Sequence, residues 1–140
     1  MTGTVVLGIG NTLWGDDGFG VAAAARLAAH PALPSAVTVV AGGTLGLYLL
    51  PLVQAARHLL VLDCVDFGAS PGAVKILRDD EIPSFLGQRP LSLHQTAFAD
   101  ILFAAELTRC RPERITLIGA QAEDLQRWGG GLTPALAAAV

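Results

Sequence analysis

The sequence predicts a three-layer α/β/α sandwich around a largely parallel mixed sheet of about five strands. Three observations carry that expectation. Short apolar runs alternate along the chain with Ala- and Leu-rich segments of helical spacing. The run from His58 to Asp63 is nearly all apolar, as befits a central strand covered on both faces. A glycine-rich turn joins the first strand to its helix, and a second glycine group follows the second strand.

Taken in order, Thr4–Gly8 reads as strand one and Asp17–Ala29 as an Ala-rich helix one. Pro31 and Pro34 break the chain, and Val37–Val40 reads as strand two. Ala41-Gly42-Gly43-Thr44 reads as a glycine turn, with Thr44 as N-cap of a second helix. That helix carries Leu45, Tyr48, Leu49, Leu52 and Val53 at helical spacing. Strand three is His58–Asp63. Strand four is Ala73–Arg78, placed at an edge by the charges of Lys75 and Arg78. Helix three is expected over Ser92–Leu107, with His94, Phe98, Ile101 and Ala105 on one stripe. Ile115–Ile118 is the last strand. Thr133-Pro134 signals a final helix, expected to be cut short at Val140.

A chain of 140 residues, 52% hydrophobic and 15% charged, suits one domain with one well-buried core. A net charge of −3 argues against nucleic-acid and anionic-membrane partners. Arg109, Arg111 and Arg114 read as a solvated basic loop. Two cysteines, Cys64 and Cys110, provide no disulfide framework or metal knuckle and fit a reducing compartment. No basic leader precedes strand one and no apolar run spans a bilayer, so a cytoplasmic location is expected.

The chain is organised around Leu7-Gly8-Ile9-Gly10-Asn11-Thr12-Leu13-Trp14-Gly15-Asp16-Asp17-Gly18-Phe19-Gly20, whose glycines allow a tight strand-to-helix turn in which the backbone can approach a ligand closely. It is not a dinucleotide fingerprint, because Leu13 stands where the third glycine belongs. It is not a P-loop, because no lysine precedes Lys75. Carboxylates at a helix start also repel phosphate.

Ligands of open α/β sheets gather beyond the carboxyl ends of the strands. Asp17 follows strand one, Asp63 ends strand three, and His94 lies in the first turn of helix three. Two carboxylates and an imidazole suit a borderline divalent cation such as nickel, zinc or manganese. Plainer readings stand beside this one. Asp16 and Asp17 could cap helix one, Asp63 could be satisfied by backbone amides, and His94 could be a half-buried structural histidine. Cys64 reads as a small buried hydrophobe, without the adjacent base a nucleophile needs. Asp66, Asp79, Asp80 and Glu81 read as solvated loop charges, and Gln95 as a supporting hydrogen-bond partner.

The set Gly8-Ile9-Gly10-Asn11-Thr12-Leu13, Asp16-Asp17-Gly18-Phe19-Gly20, Gly42-Gly43-Thr44, Leu62-Asp63, Ser92-Leu93-His94-Gln95 and Gly131-Leu132-Thr133-Pro134 resembles the nickel–iron hydrogenase maturation endopeptidases. The matches keep the family's order and spacing across nearly the whole chain. The resemblance implies a phosphorylase/hydrolase-like fold. It also implies removal of a C-terminal extension from the hydrogenase large-subunit precursor, once nickel has been inserted. The cut falls after a His or Arg just downstream of the cysteine motif that holds the nickel–iron centre. The family's metal contacts map onto Asp17, Asp63 and His94, with nickel presented by the precursor. Two departures are visible. Ala41 stands where many relatives carry an aspartate, and relatives continue for a further helix beyond Val140. The competing expectation from the same three residues is a non-catalytic nickel-sensing or metal-delivery module for hydrogenase assembly.

Overall fold

A computed structural model describes residues 2–44, 46–82, 101–125, 128–129 and 131–140. The elements are β1 (Thr2–Ile9), a 3-10 turn (Gly15–Gly18), α1 (Phe19–Ala28), β2 (Thr38–Gly43), a second 3-10 turn (Gly46–Leu49), α2 (Leu50–Ala55), β3 (Ala56–Val65) and β4 (Val74–Arg78). Helical residues 101–107 (α3), β5 (Arg114–Gln121) and α4 (Pro134–Ala139) follow. Five strands form one sheet in the order β2-β1-β3-β5-β4. β1 is parallel to both β2 and β3, and β3 is parallel to β5. Only β4 runs antiparallel, at the edge beside β5. The expected mixed, largely parallel sheet and the edge position of strand four are both found.

Side-chain alternation assigns the two faces. Val5, Leu7 and Ile9 of β1, Leu59 and Val61 of β3, and Ile115 and Leu117 of β5 pack with Val53 of α2 and Ile101 and Ala105 of α3. Residues of the other parity cover the opposite face. Val6 and Leu62 meet Ala24 of α1, while Cys64 and Ala120 meet Phe19 of α1 and Leu136 of α4. These are the three layers. β3 is buried on both faces from Val61 to Val65, which accounts for its unbroken apolar run.

Several boundaries differ from expectation for physical reasons. Gly42 and Gly43 are not a turn but the end of β2, where the β1–β2 register slips between Gly8 and Ile9. The second helix is broken in two. Residues 46–49 form a 3-10 turn and the α-helix begins at Leu50, with Pro51 in its first turn, where a missing N–H costs nothing. Tyr48, expected on the buried stripe, is 86% exposed. Helix one starts at Phe19, because residues 15–18 wind more tightly as a 3-10 turn. The start of helix three, with His94, Gln95 and Phe98, lies outside the described residues. Ile101 and Ala105 from the same stripe are buried as expected.

Candidate active site

The β1–α1 connection is organised by close approach. Gly8 and Gly20 face each other across the strand–helix contact. A Cβ on Gly8 would stand 2.3 Å from the Gly20 carbonyl oxygen, and one on Gly20 would stand 2.2 Å from the Leu62 and 2.3 Å from the Ile9 carbonyl oxygens. The first turn of α1 is therefore seated on the carboxyl ends of β1 and β3. These glycines serve helix–strand packing.

Gly10, at φ +134°, turns the chain out of β1, and its N–H donates to the Gly43 carbonyl (3.1 Å). A Cβ there would stand 2.0 Å from the Asp17 carbonyl oxygen. The loop then folds around Asp17. The Asn11 N–H donates to Asp17 Oδ2 (3.0 Å), and Asn11 Oδ1 accepts from the Leu13 N–H (2.9 Å). The Trp14 N–H donates to the Asn11 carbonyl and the Asp17 N–H to the Trp14 carbonyl. Asp17 is buried, and the residue at the N-cap of α1 is Gly18.

Asp63 is buried at the end of β3, paired in register with Gly119 of β5, and its Oδ1 accepts the Cys64 N–H (2.8 Å). The parallel register sets Gly8 beside Leu62, one step before Asp63. Asp17 and Asp63 thus share the carboxyl edge of two adjacent strands, as the topology required. Next to them, burial pushes the Cys64 thiol well above its ordinary pKa, and the charges of Asp63, Asp16, Asp17 and Asp66 push it further. A thiol in that field stays protonated and is no nucleophile, as expected.

Asp16, adjacent in sequence, has a different task. It is fully buried. Its Oδ2 accepts the Glu123 (2.8 Å) and Asp124 (2.9 Å) N–H groups, and its Oδ1 accepts the Thr133 N–H (2.7 Å). The Thr133 hydroxyl lies 2.9 and 3.0 Å from the two carboxylate oxygens. Burial alone would raise its pKa. The Thr133, Asp124 and Glu123 amides and the Thr133 hydroxyl outweigh burial and hold it below the ordinary 3.8. Sequence reasoning missed this role. It found Thr133-Pro134 as a helix start but could not tell that the threonine hydroxyl turns to Asp16 rather than capping α4.

The same two loops meet again at the surface. Trp14 and Trp128 form an isolated bridge and an edge-to-face ring pair with centroids 4.8 Å apart, and the Gly129 N–H donates to the Leu13 carbonyl. Trp14 is 40% and Trp128 63% exposed. Beyond the ends of β3 and β5, an open cleft of about 310 Å³ is lined by Asp66, Gln121, Ala122, Glu123, Asp124 and Leu125. Gln121 was also missed. Its Oε1 accepts the Phe67 and Ala69 N–H groups and its Nε2 donates to Asp66 Oδ1, which ties down the loop after β3. Asp66 and Asp79 are therefore not simply solvated: Asp79 Oδ1 accepts the Ile115 N–H (2.9 Å).

Two of the three expected ligands, Asp17 and Asp63, are brought to one edge. His94 lies outside the described residues. Among the described residues no group of three His, Cys, Asp or Glu side chains could hold a metal ion. The two buried carboxylates fit a divalent cation as oxygen donors, but two donors alone do not complete a site.

The comparisons with known proteins agree with this architecture. The family described as hydrogenase maturation protease matches residues 21–140. The hydrogenase expression/formation protein HupD of Rhodobacter capsulatus is 50% identical over 133 residues, which is 95% of this chain and 63% of that protein. The Hydrogenase 2 maturation protease of Escherichia coli is 36% identical over 97% of this chain and 82% of its own length. Among solved structures, the hydrogenase maturating endopeptidase HybD from E. coli superposes with a TM-score of 0.88 at 36% identity, covering 99% of this chain and 84% of that one. The chain thus spans about two thirds of the length of curated relatives such as the Rhodobacter protein. Sheet order, the acid-bearing strand ends and these likenesses together lead to one conclusion: the chain belongs to the hydrogenase maturation protease family.

Proposed function

We propose that the chain is an endopeptidase that removes the C-terminal extension of a nickel–iron hydrogenase large-subunit precursor after nickel insertion. The observation that carries this reading is the pair of buried carboxylates, Asp17 and Asp63, on the carboxyl ends of adjacent parallel strands in a chain of this family. Nickel arrives as part of the substrate. Asp17 and Asp63 offer it oxygen donors, and His94 is the proposed nitrogen donor. Bound there, the cation would polarise the scissile carbonyl or acidify a water. The chain's own residues set the stage. The Asn11 N–H holds the Asp17 carboxylate, and the Cys64 N–H orients Asp63. A carboxylate of this pair is also the proposed acceptor of a proton from the attacking water. The protonated Cys64 thiol stays out of the reaction.

The test is an intact-mass measurement of precursor incubated with purified protein, with and without nickel loaded. The expected result is loss of the C-terminal extension from loaded precursor only. Asp17→Asn, Asp63→Asn and His94→Ala should each abolish it. Equal cleavage of nickel-free precursor would overturn the metal part of the proposal. An intact tail on loaded precursor would overturn the protease reading and leave a metal-delivery module.

A further inference from the structure

We infer that Asp16 is a positioning residue: its carboxylate staples the 3-10 turn that carries Asp17 to the segment from Glu123 to Thr133 and so sets the orientation of Asp17. The functional weight of this inference rests on the role proposed above for Asp17.

Three segments meet on one carboxylate. Its two oxygens take backbone donors from Glu123, Asp124 and Thr133 and the Thr133 hydroxyl, while the Asp16 N–H donates to the Asp124 carbonyl (2.9 Å). Residue 16 is therefore held by main chain and side chain at once. Charge-assisted bonds of this kind are among the stronger ones in proteins, and inside a buried pocket they tolerate little misalignment.

Asp17 hangs from the next Cα. Its amide bonds back to Trp14, its carbonyl sits against Gly10, and its carboxylate faces the Asn11 N–H. The four-residue turn Gly15–Gly18 runs straight into α1, with the Phe19 N–H on the Asp16 carbonyl and the Asp17 N–H on the Trp14 carbonyl. The staple adds the tertiary anchor that this local bonding lacks, reinforced at the rim by the Trp14–Trp128 bridge and the Gly129–Leu13 hydrogen bond. A plain helix-dipole or capping role would not call for donors drawn from more than a hundred positions away.

The experiment measures amide hydrogen exchange and precursor processing on the same variants. Thr133→Val removes the hydroxyl but keeps the Thr133 N–H, α4 and Asp17 itself; Thr133→Ser keeps the hydroxyl. The Asn11 amide, whose acceptor is Asp17 Oδ2, should exchange on the order of tenfold faster in Thr133→Val relative to the Leu59 and Val61 amides of β3. In Thr133→Ser it should return to the rate of the unaltered protein. The kcat for processing should fall in parallel, with KM changed less than about twofold. Asp16→Asn should show the same effects enlarged, because its side-chain NH₂ would oppose backbone donors. If that variant does not fold, the Thr133 pair decides alone. An Asn11 rate that follows Leu59 and Val61 in Thr133→Val, or rises equally in Thr133→Ser, overturns the inference and leaves Asp16 as a stability element. Asn11 exchange needs neither precursor nor metal. Absence of processing in the unaltered protein therefore counts against the proposed function, not against the staple.

Discussion

Replacing Gly20 with Ala tests how closely α1 must sit on the strand ends. The added Cβ would stand 2.2 Å from the Leu62 and 2.3 Å from the Ile9 carbonyl oxygens, both of them backbone atoms of central strands. An ordinary C···O contact is about 3.3 Å, so the helix and the two strands would have to part by about 1 Å. Two effects oppose each other. Ala in place of Gly in a helix gains at most about 1 kcal/mol. Forcing a methyl group into a filled site costs about 1–3 kcal/mol and more where the neighbours are rigid backbone. The clash wins, with a net loss of about 2 kcal/mol. For a domain of 140 residues that corresponds to a melting point lower by about 6 °C. The same displacement moves Asp17 relative to Asp63, and a misplacement of about 1 Å costs on the order of a hundredfold in rate. Urea unfolding followed by circular dichroism gives the first quantity, and timed mass spectra of nickel-loaded precursor give the second. A Gly20→Ala protein within about 1 kcal/mol of the unaltered one, processing at an equal rate, would refute the close-packing argument.

Gly129 offers the reverse case. A Cβ there meets nothing within 4 Å, but φ is +71°, so Gly129→Ala should cost only the left-handed backbone penalty of about 1–2 kcal/mol, and Gly129→Asn less, by urea unfolding. In native protein, iodoacetamide should label the half-buried Cys110 first and reach Cys64 only on unfolding, because burial and the surrounding aspartates keep that thiol protonated; peptide mapping reads this directly. Asp16 has a folded pKa below 3.8, so its stabilisation is fully present above that value and is lost as pH falls through the folded pKa. The stability gap between unaltered protein and Asp16→Asn, measured by urea unfolding, should therefore hold at about pH 5 and narrow toward about pH 2.

Much of this molecule is legible in its residues. The unbroken apolar run of β3 announces a doubly covered strand, and Lys75 and Arg78 mark β4 as an edge. The glycines between β1 and α1 announce a tight turn with a close approach to the backbone, though not that the partners are the Leu62 and Ile9 carbonyls. Asp17 and Asp63 could be placed on one edge because parallel strands share a direction. What stayed hidden depends on tertiary partners. Nothing local distinguishes Asp16, whose donors lie beyond residue 120, from a helix cap. Gln121 looks like any strand-end amide until the loop after β3 folds onto it. Pro51 could have warned that the second helix would restart.

The Asp16–Thr133 contact joins positions 117 apart in the chain, with nearly the whole sheet between them. During synthesis the N-terminal turn leaves the ribosome long before its partners exist, and the pocket for its carboxylate cannot close until Thr133 emerges. Contacts of such long loop separation form late, after local structure has condensed. The turn bearing Asp17 is therefore anchored only once Thr133 is in place.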